Sequence, residues 1–139
     1  MPEKTAESFR EDGFFITGDM AVRDADGYVS IVGRDKDLII TGGLNVYPRE
    51  VESLVDEVAG VQESAVIGVP HPDFGEAVVA IVAAAPGAVS ADAVIEALAG
   101  KLAKFKQPKS VHLVDALPRN SMGKVQKAAL RDEYAGLFA

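Results

Sequence analysis

The run Gly33-Arg34-Asp35-Lys36-Asp37-Leu38-Ile39-Ile40-Thr41-Gly42-Gly43-Leu44-Asn45-Val46-Tyr47-Pro48 changes character three times, and its reading decides the fold. After Gly33 come four consecutive charged residues. Residues 38–41 are then an apolar run of strand type, Gly42-Gly43 is a turn by composition, and Pro48 suits the first position of a helix. On residue type alone, a charged run between apolar segments is a solvated linker. Beyond Pro48, Val51, Leu54, Val55 and Val58 fall at i, i+3, i+4 and i+7, an apolar stripe on an otherwise acidic helix that Gly60 ends.

Downstream, residues 61–69 read as a strand with Ala65-Val66-Ile67 as its buried part, and residues 70–75 as a loop by their Pro and Gly content. Residues 76–85 are almost wholly apolar, the pattern of a strand covered on both faces. Ser90 is placed to cap a helix running to about residue 103, which Phe105-Lys106-Gln107-Pro108 breaks. A strand at 110–114, a loop at 116–123 and a helix over 125–138 with Leu130, Tyr134 and Phe138 facing inward complete the chain. The order strand, helix, strand, strand, helix, strand, helix predicts an α+β domain with a three-stranded sheet flanked by helices, the 38–41 strand being a small separate piece. Upstream, residues 14–23 and 28–32 read as a β-hairpin about the turn Asp24-Ala25-Asp26-Gly27. A two-stranded hairpin is marginal alone, so it is expected to belong to a larger sheet. Residues 1–12 are polar, with a weak helical pattern and no core of their own.

A chain of 139 residues, 48% hydrophobic, suffices for one packed domain and a fragment of another. A net charge of -7 argues against a nucleic-acid partner. Local charge differs: Lys101, Lys104, Lys106, Lys109, Arg119, Lys124 and Lys127 face the single acid Asp115 between residues 101 and 127. Such a basic strip is either a solvated surface or a docking face for a polyphosphate. There is no cysteine, and His71 and His112 are the only histidines, so a metal site has little support. No apolar run is long enough to span a bilayer and the N-terminus carries no signal region, so no membrane partner and a cytoplasmic location are expected.

Taken together, these segments resemble the C-terminal part of the adenylate-forming enzymes: acyl-CoA synthetases, luciferases and the adenylation domains of peptide synthetases. The resemblance covers essentially the whole chain. Within the superfamily, Asp12-Gly13-Phe14-Phe15-Ile16-Thr17-Gly18-Asp19, Thr41-Gly42-Gly43-Leu44-Asn45-Val46-Tyr47-Pro48, Lys104-Phe105-Lys106 and residues 118–127 are most similar to malonyl-CoA synthetases.

The resemblance implies a role for each motif. Thr17-Gly18-Asp19 is similar to the ribose-binding motif near the end of the large N-terminal domain, where the Asp19 carboxylate would accept hydrogen bonds from both ribose hydroxyls of ATP. Gly33-Arg34-Asp35-Lys36-Asp37 resembles the hinge, with Arg34 at the nucleotide ribose and Lys36, where many relatives carry Asp, as the pivot between an adenylating and a thioester-forming pose. Gly42 and Gly43 fall in the loop that lines the pantetheine tunnel, where a Cβ would obstruct a thin ligand. Leu117-Pro118-Arg119-Asn120-Ser121-Met122-Gly123-Lys124-Val125-Gln126-Lys127 resembles the C-terminal signature, which makes Lys124 the catalytic lysine, its ammonium offsetting charge at the attacking carboxylate and the α-phosphate. Phe105-Lys106-Gln107-Pro108-Lys109 falls where relatives meet the nucleotide end of CoA: Phe105 would stack on adenine or serve as a core residue, and Lys106 or Lys109 would meet the ribose phosphate. Some relatives carry Arg where Gln107 stands. His71 and Phe74 read as loop and packing residues only.

The implied division places residues 1–35 in the tail of the large N-terminal domain and 36–139 in a mobile C-terminal domain, so that this chain is expected to be an inactive fragment of an ATP-dependent acid-CoA ligase. ATP, CoA and Mg are the implied cofactors, with Mg held mainly by the large domain. The implied partners are that domain, a small carboxylic acid substrate, and a lysine acetyltransferase acting on Lys124. The alternative is a stand-alone CoA- or nucleotide-binding module without catalysis. A weaker one is an interaction domain in which Lys124 is only an acylation target.

Overall fold

The computed structural model describes all 139 residues, which form two units, Met1–Lys36 and Asp37–Ala139. In the first, a short helix α1 (Pro2–Glu7) precedes strands β1 (Asp19–Arg23) and β2 (Val29–Arg34), which pair antiparallel from Asp19↔Arg34 to Arg23↔Val29. The connecting turn is held by Asp24, whose Oδ1 accepts the N–H groups of Asp26 and Tyr28, both at 2.9 Å. The first strand is shorter than the sequence suggests, because residues 14–16 form their backbone hydrogen bonds with residues 8–10: Arg10 N–H donates to Phe14 O and Ile16 N–H to Ser8 O, each at 2.8 Å. No residue of this unit is buried, and Phe14, Tyr28 and Ile31 are largely exposed.

In the second unit the order is β3 (Ile39–Thr41), β4 (Leu44–Val46), α2 (Pro48–Asp56), β5 (Val61–His71), β6 (Gly75–Ala84), α3 (Ala91–Leu98), β7 (Ser110–Val114) and α4 (Lys127–Tyr134). Strand β6 is the centre. It pairs antiparallel with β5 along its whole length and parallel with β7 from Val79↔Ser110 to Ala83↔Val114. Because side chains alternate along a strand, Val78, Ala80 and Val82 face one way and Val79, Ile81 and Ala83 the other. The first set joins Val66, Val51, Val55, Val94 and Leu98 in a core beneath α2 and α3. The second joins Ile67, Val69, Leu117 and Leu130 in a core beneath α4, against which Tyr134 and Phe138 also pack. Burial raises the Tyr134 phenol above its usual pKa, and neighbouring Glu133 adds to the effect.

The three-stranded sheet expected from sequence is the middle of a larger one. The pair Thr41↔Gly75 attaches β3 to β6 and brings β4 with it, giving five strands. The segment 38–41 is therefore continuous with the sheet, because Ile39 and Val46 fill the core on the α2 face. Helix α3 begins where Ser90 Oγ accepts Ala93 N–H at 3.1 Å, as a capping serine should. The helix-α2 exit needs Gly60: it has φ +92°, and a Cβ there would lie 2.4 Å from Ala88 O.

Strand β5 forms an edge of the sheet. Its outward Val66 N–H is taken up by Glu52 Oε1 of α2 at 2.9 Å. Position 70 shares that outward direction, so Pro70 sits where its missing N–H removes no ladder bond. These differences in burial predict an ordering of local stability: amide hydrogen exchange should be fast throughout residues 1–36 and slow by orders of magnitude across residues 61–82. Equal protection of the two segments in a monomer would contradict it.

Candidate functional site

Three groups of residues singled out in the sequence have definite places. The first is the β3–β4 turn. Gly42 and Gly43 adopt φ of +55° and +80°, which lets β3 reverse directly into β4. Gly42 N–H donates to Phe74 O at 2.8 Å, and Ile40 N–H donates to Glu76 Oε2, also at 2.8 Å. The Glu76 carboxylate reaches Ile40 by crossing over Gly68, where a Cβ would stand 2.6 Å from Glu76 Oε1. The hairpin is thus held to β6 and the turn before it by one strand pair and two further hydrogen bonds.

Beside this turn lies a cleft of about 560 Å³ lined by Thr41, Gly42, Leu44, Phe74, Lys104, Phe105 and Lys109. It joins two aromatic rings, two ammonium groups and an exposed glycine backbone, a set that fits a nucleotide with an attached thin chain. Phe105 packs against the core below α2 and α3, as one of its two expected roles requires, and also lines the cleft. Lys109 lines the cleft with its ammonium 4.9 Å from the Phe74 ring centre. Lys106 does not line it; its ammonium sits 2.9 Å from both carboxylate oxygens of Glu50. Phe74 and Lys104 are lining residues that sequence reasoning did not select as candidates. The signal for Phe74 was weak, because the β5–β6 turn carrying it reaches the cleft only through its pairing with β3.

The second group lies in the first unit. Arg34 Nε is 2.9 Å from Asp19 Oδ1, and Arg34 Nη1 donates to Thr17 O at 2.9 Å. The Thr17-Gly18-Asp19 motif and Arg34 are therefore one cluster. Lys36 lies in a single 3₁₀ turn, Asp35–Asp37, exposed and in no ion pair, whereas Asp37 is 3.1 Å from Arg131 of α4.

The third group is the loop between β7 and α4. Asn120 Oδ1 accepts the N–H groups of Met122 (3.0 Å) and Lys124 (2.9 Å), and Arg119 Nη1 donates to Gly123 O at 2.7 Å. A backbone bridge pairs Arg119 with Val125. Lys124 is exposed on this closed loop, and its ammonium meets no carboxylate. Leu117 and Val125 anchor the loop in the core beneath α4, whereas Ile39, Val46 and Phe105 anchor the cleft in the core beneath α2 and α3. The loop carrying Lys124 and the cleft are thus anchored in different cores, one on each face of the sheet. No group of three or more His, Asp or Glu side chains is arranged to hold a metal ion. No helix is long and apolar enough to cross a membrane.

This combination of fold and loops matches the family described as the AMP-binding enzyme C-terminal domain over residues 50–124, and the chain belongs to that family. It is 50% identical over 133 residues to a methyl-dioxo-octahydroindenyl propanoyl:CoA ligase of Rhodococcus jostii (strain RHA1), covering 95% of this chain and 26% of the relative. A long-chain-fatty-acid-CoA ligase of Mycobacterium tuberculosis (strain ATCC 25618 / H37Rv) is 46% identical over 134 residues, 96% of this chain and 26% of the relative. Among solved structures, ATP-bound MatB from Rhodopseudomonas palustris superposes with a TM-score of 0.91 at 58% identity, covering 100% of this chain and 28% of that one. The chain spans about a quarter of the length of the curated relatives it matches, and in them it corresponds to one part of a larger ligase.

The hairpin anchor is open to direct test. Glu76→Ala removes the acceptor of Ile40 N–H, and Gly68→Ala pushes the same carboxylate aside. Each should lower the urea midpoint by the equivalent of about 1 kcal/mol with an unchanged m value, and each should speed exchange of the Ile40 amide more than that of Val66. An Ile40 amide that exchanges at the native rate in both variants would show that Glu76 does not hold the hairpin.

Proposed function

We propose that this chain is the mobile C-terminal domain (36–139), with the adjoining tail of the large domain (1–35), of an AMP-forming acid-CoA ligase of the malonyl-CoA synthetase type. The reaction would join a small carboxylic acid to ATP, giving an acyl-adenylate and pyrophosphate, and then form the CoA thioester with release of AMP. The observation that carries this reading is that the loop bearing Lys124 and the cleft are anchored in different cores, one on each face of the sheet. A domain that serves two half-reactions in turn needs two such faces, and family membership, together with the likeness to ATP-bound MatB, supports the same reading.

In this reading Lys124 approaches the substrate carboxylate and the α-phosphate, and its ammonium offsets charge that builds up in adenylation. Asp19 and Arg34, already paired with each other, hold the ATP ribose. Lys36 is the pivot, an exposed residue whose side chain no ion pair restrains. After the pivot turns, Gly42 and Gly43 border the pantetheine path, Phe105 stacks on the CoA adenine, and Lys109 with Lys104 meets its phosphates. Lys106 supports Phe105 from the side, its ammonium 5.8 Å from the ring centre. Mg would accompany the ATP phosphates on residues of the large domain. A cytoplasmic location and control by a lysine acetyltransferase acting on Lys124 belong to the same reading, since acetylation would remove the required charge.

The test is made on the full-length enzyme, following pyrophosphate release and thioester formation from supplied acyl-adenylate separately. Lys124→Ala should slow the first by about 10²- to 10³-fold and spare the second. Gly43→Leu should do the reverse. Equal impairment of both halves by both variants would exclude alternation between two faces. The 139-residue chain alone, given malonate, ATP and CoA, should release no pyrophosphate above background; robust turnover by it would overturn the proposed division of labour.

A further inference from the structure

The loop carrying Lys124 is tied down at both of its ends by acids that lie outside it. At its start, the Arg119 guanidinium pairs through Nη2 with Glu63 of β5, while its other nitrogen closes the loop on Gly123 O. At its end, the Lys127 ammonium is 2.6 Å from Glu52 Oε1 of α2. That same oxygen accepts Val66 N–H from the edge of β5, so the Glu52 carboxylate is fixed by the sheet before it meets Lys127. The side chains of this pair are only 13% and 20% exposed, the least exposed of the seven ion pairs in the chain. An exposed pair gives little stability, but a shielded pair whose acid is already immobilised defines a position. Between the two ties the Asn120 side chain closes the loop on itself, so the loop can tilt as a body but not easily change shape. Glu63 and Glu52 thus hold the two ends of the loop that carries Lys124.

We propose that Glu52 and Glu63 are positioning residues for Lys124, acting through Lys127 and Arg119, and that they serve adenylation alone. The proposal rests on the reading of Lys124 given above. Neither acid lines the cleft. Thioester formation should therefore not depend on them.

Glu52→Gln and Glu63→Gln in the full-length enzyme remove the charges, while Gln at 52 can still accept Val66 N–H and keep the edge of β5 closed. Each should lower kcat for pyrophosphate release by about tenfold or more, the scale of a catalytic group displaced by a fraction of an ångström, with KM for ATP little changed. Thioester formation from supplied acyl-adenylate should stay within twofold of the native rate. Reversing the more exposed pair, Glu63→Arg with Arg119→Glu, should recover most of the adenylation rate lost by Arg119→Glu alone. The proposal is overturned if both Gln variants adenylate at the native rate while Lys124→Ala does not, and this outcome leaves the role of Lys124 intact. It is also overturned, as a merely structural effect, if both half-reactions fall together with the melting temperature. If Lys124→Ala itself adenylates normally, the role of Lys124 fails and this proposal fails with it.

Discussion

Strand β6 must be covered on both faces and paired on both edges, and the second unit is arranged to meet that demand. From Ala77 to Ala84 it carries no polar side chain, and every one of those residues is buried. A strand of that kind cannot border solvent without exposing a row of valines and isoleucine. Helices α2 and α3 cover one face, α4 with the chain around Leu117 covers the other, and β5 with β7 takes up the hydrogen bonds along the edges. The two candidate loops inherit their separate anchorage from this arrangement. One is anchored beside β3 in the first core, and the other runs from β7 to α4 with its anchors in the second.

The hairpin β3–β4 is attached to that construction by both polar and apolar contacts. Only Thr41↔Gly75 joins it to the sheet as a strand pair. The Glu76 carboxylate and the Phe74 carbonyl supply the remaining hydrogen bonds, and Ile39 and Val46 supply the burial. Ile39 and Val46 fix the two strands in the core, so only the exposed turn at Gly42-Gly43 can yield without disturbing it. Gly68 permits this anchor by leaving the path of the Glu76 side chain open.

Much of this was legible in the sequence because burial wrote it there. The unbroken apolar run of β6, the helical stripe of Val51, Leu54, Val55 and Val58, and the cap at Ser90 each report a local constraint that needs no distant partner. What escaped was set by long-range contact. The attachment of residues 38–41 to the sheet depends on Gly75, more than thirty residues away, and the role of Phe74 depends on that attachment. The expected strand over residues 14–18 failed for the opposite reason, since its backbone groups found nearer partners in residues 8–10. Lys106 and Lys109 could not be separated by sequence, because which of them faces the cleft is decided by Glu50 of another element.

That last point extends to the whole basic strip. Four of its cations have acidic partners: Lys101 with Glu57, Lys106 with Glu50, Arg119 with Glu63 and Lys127 with Glu52. Lys104, Lys109 and Lys124 have none. Two of those three line the cleft and the third heads the closed loop. On a protein of net charge -7, acids are abundant enough to neutralise any surface lysine that chain geometry brings near them. A cation left alone in such a field keeps its attraction for an external anion, and the unpaired set falls at the two places where the proposed reaction meets phosphate. The paired cations do different work: they orient a ring, tie a loop or join two helices. The strip is thus a sorted set of charges, in which the acids of neighbouring elements decide which cations are paired and which are left without a partner.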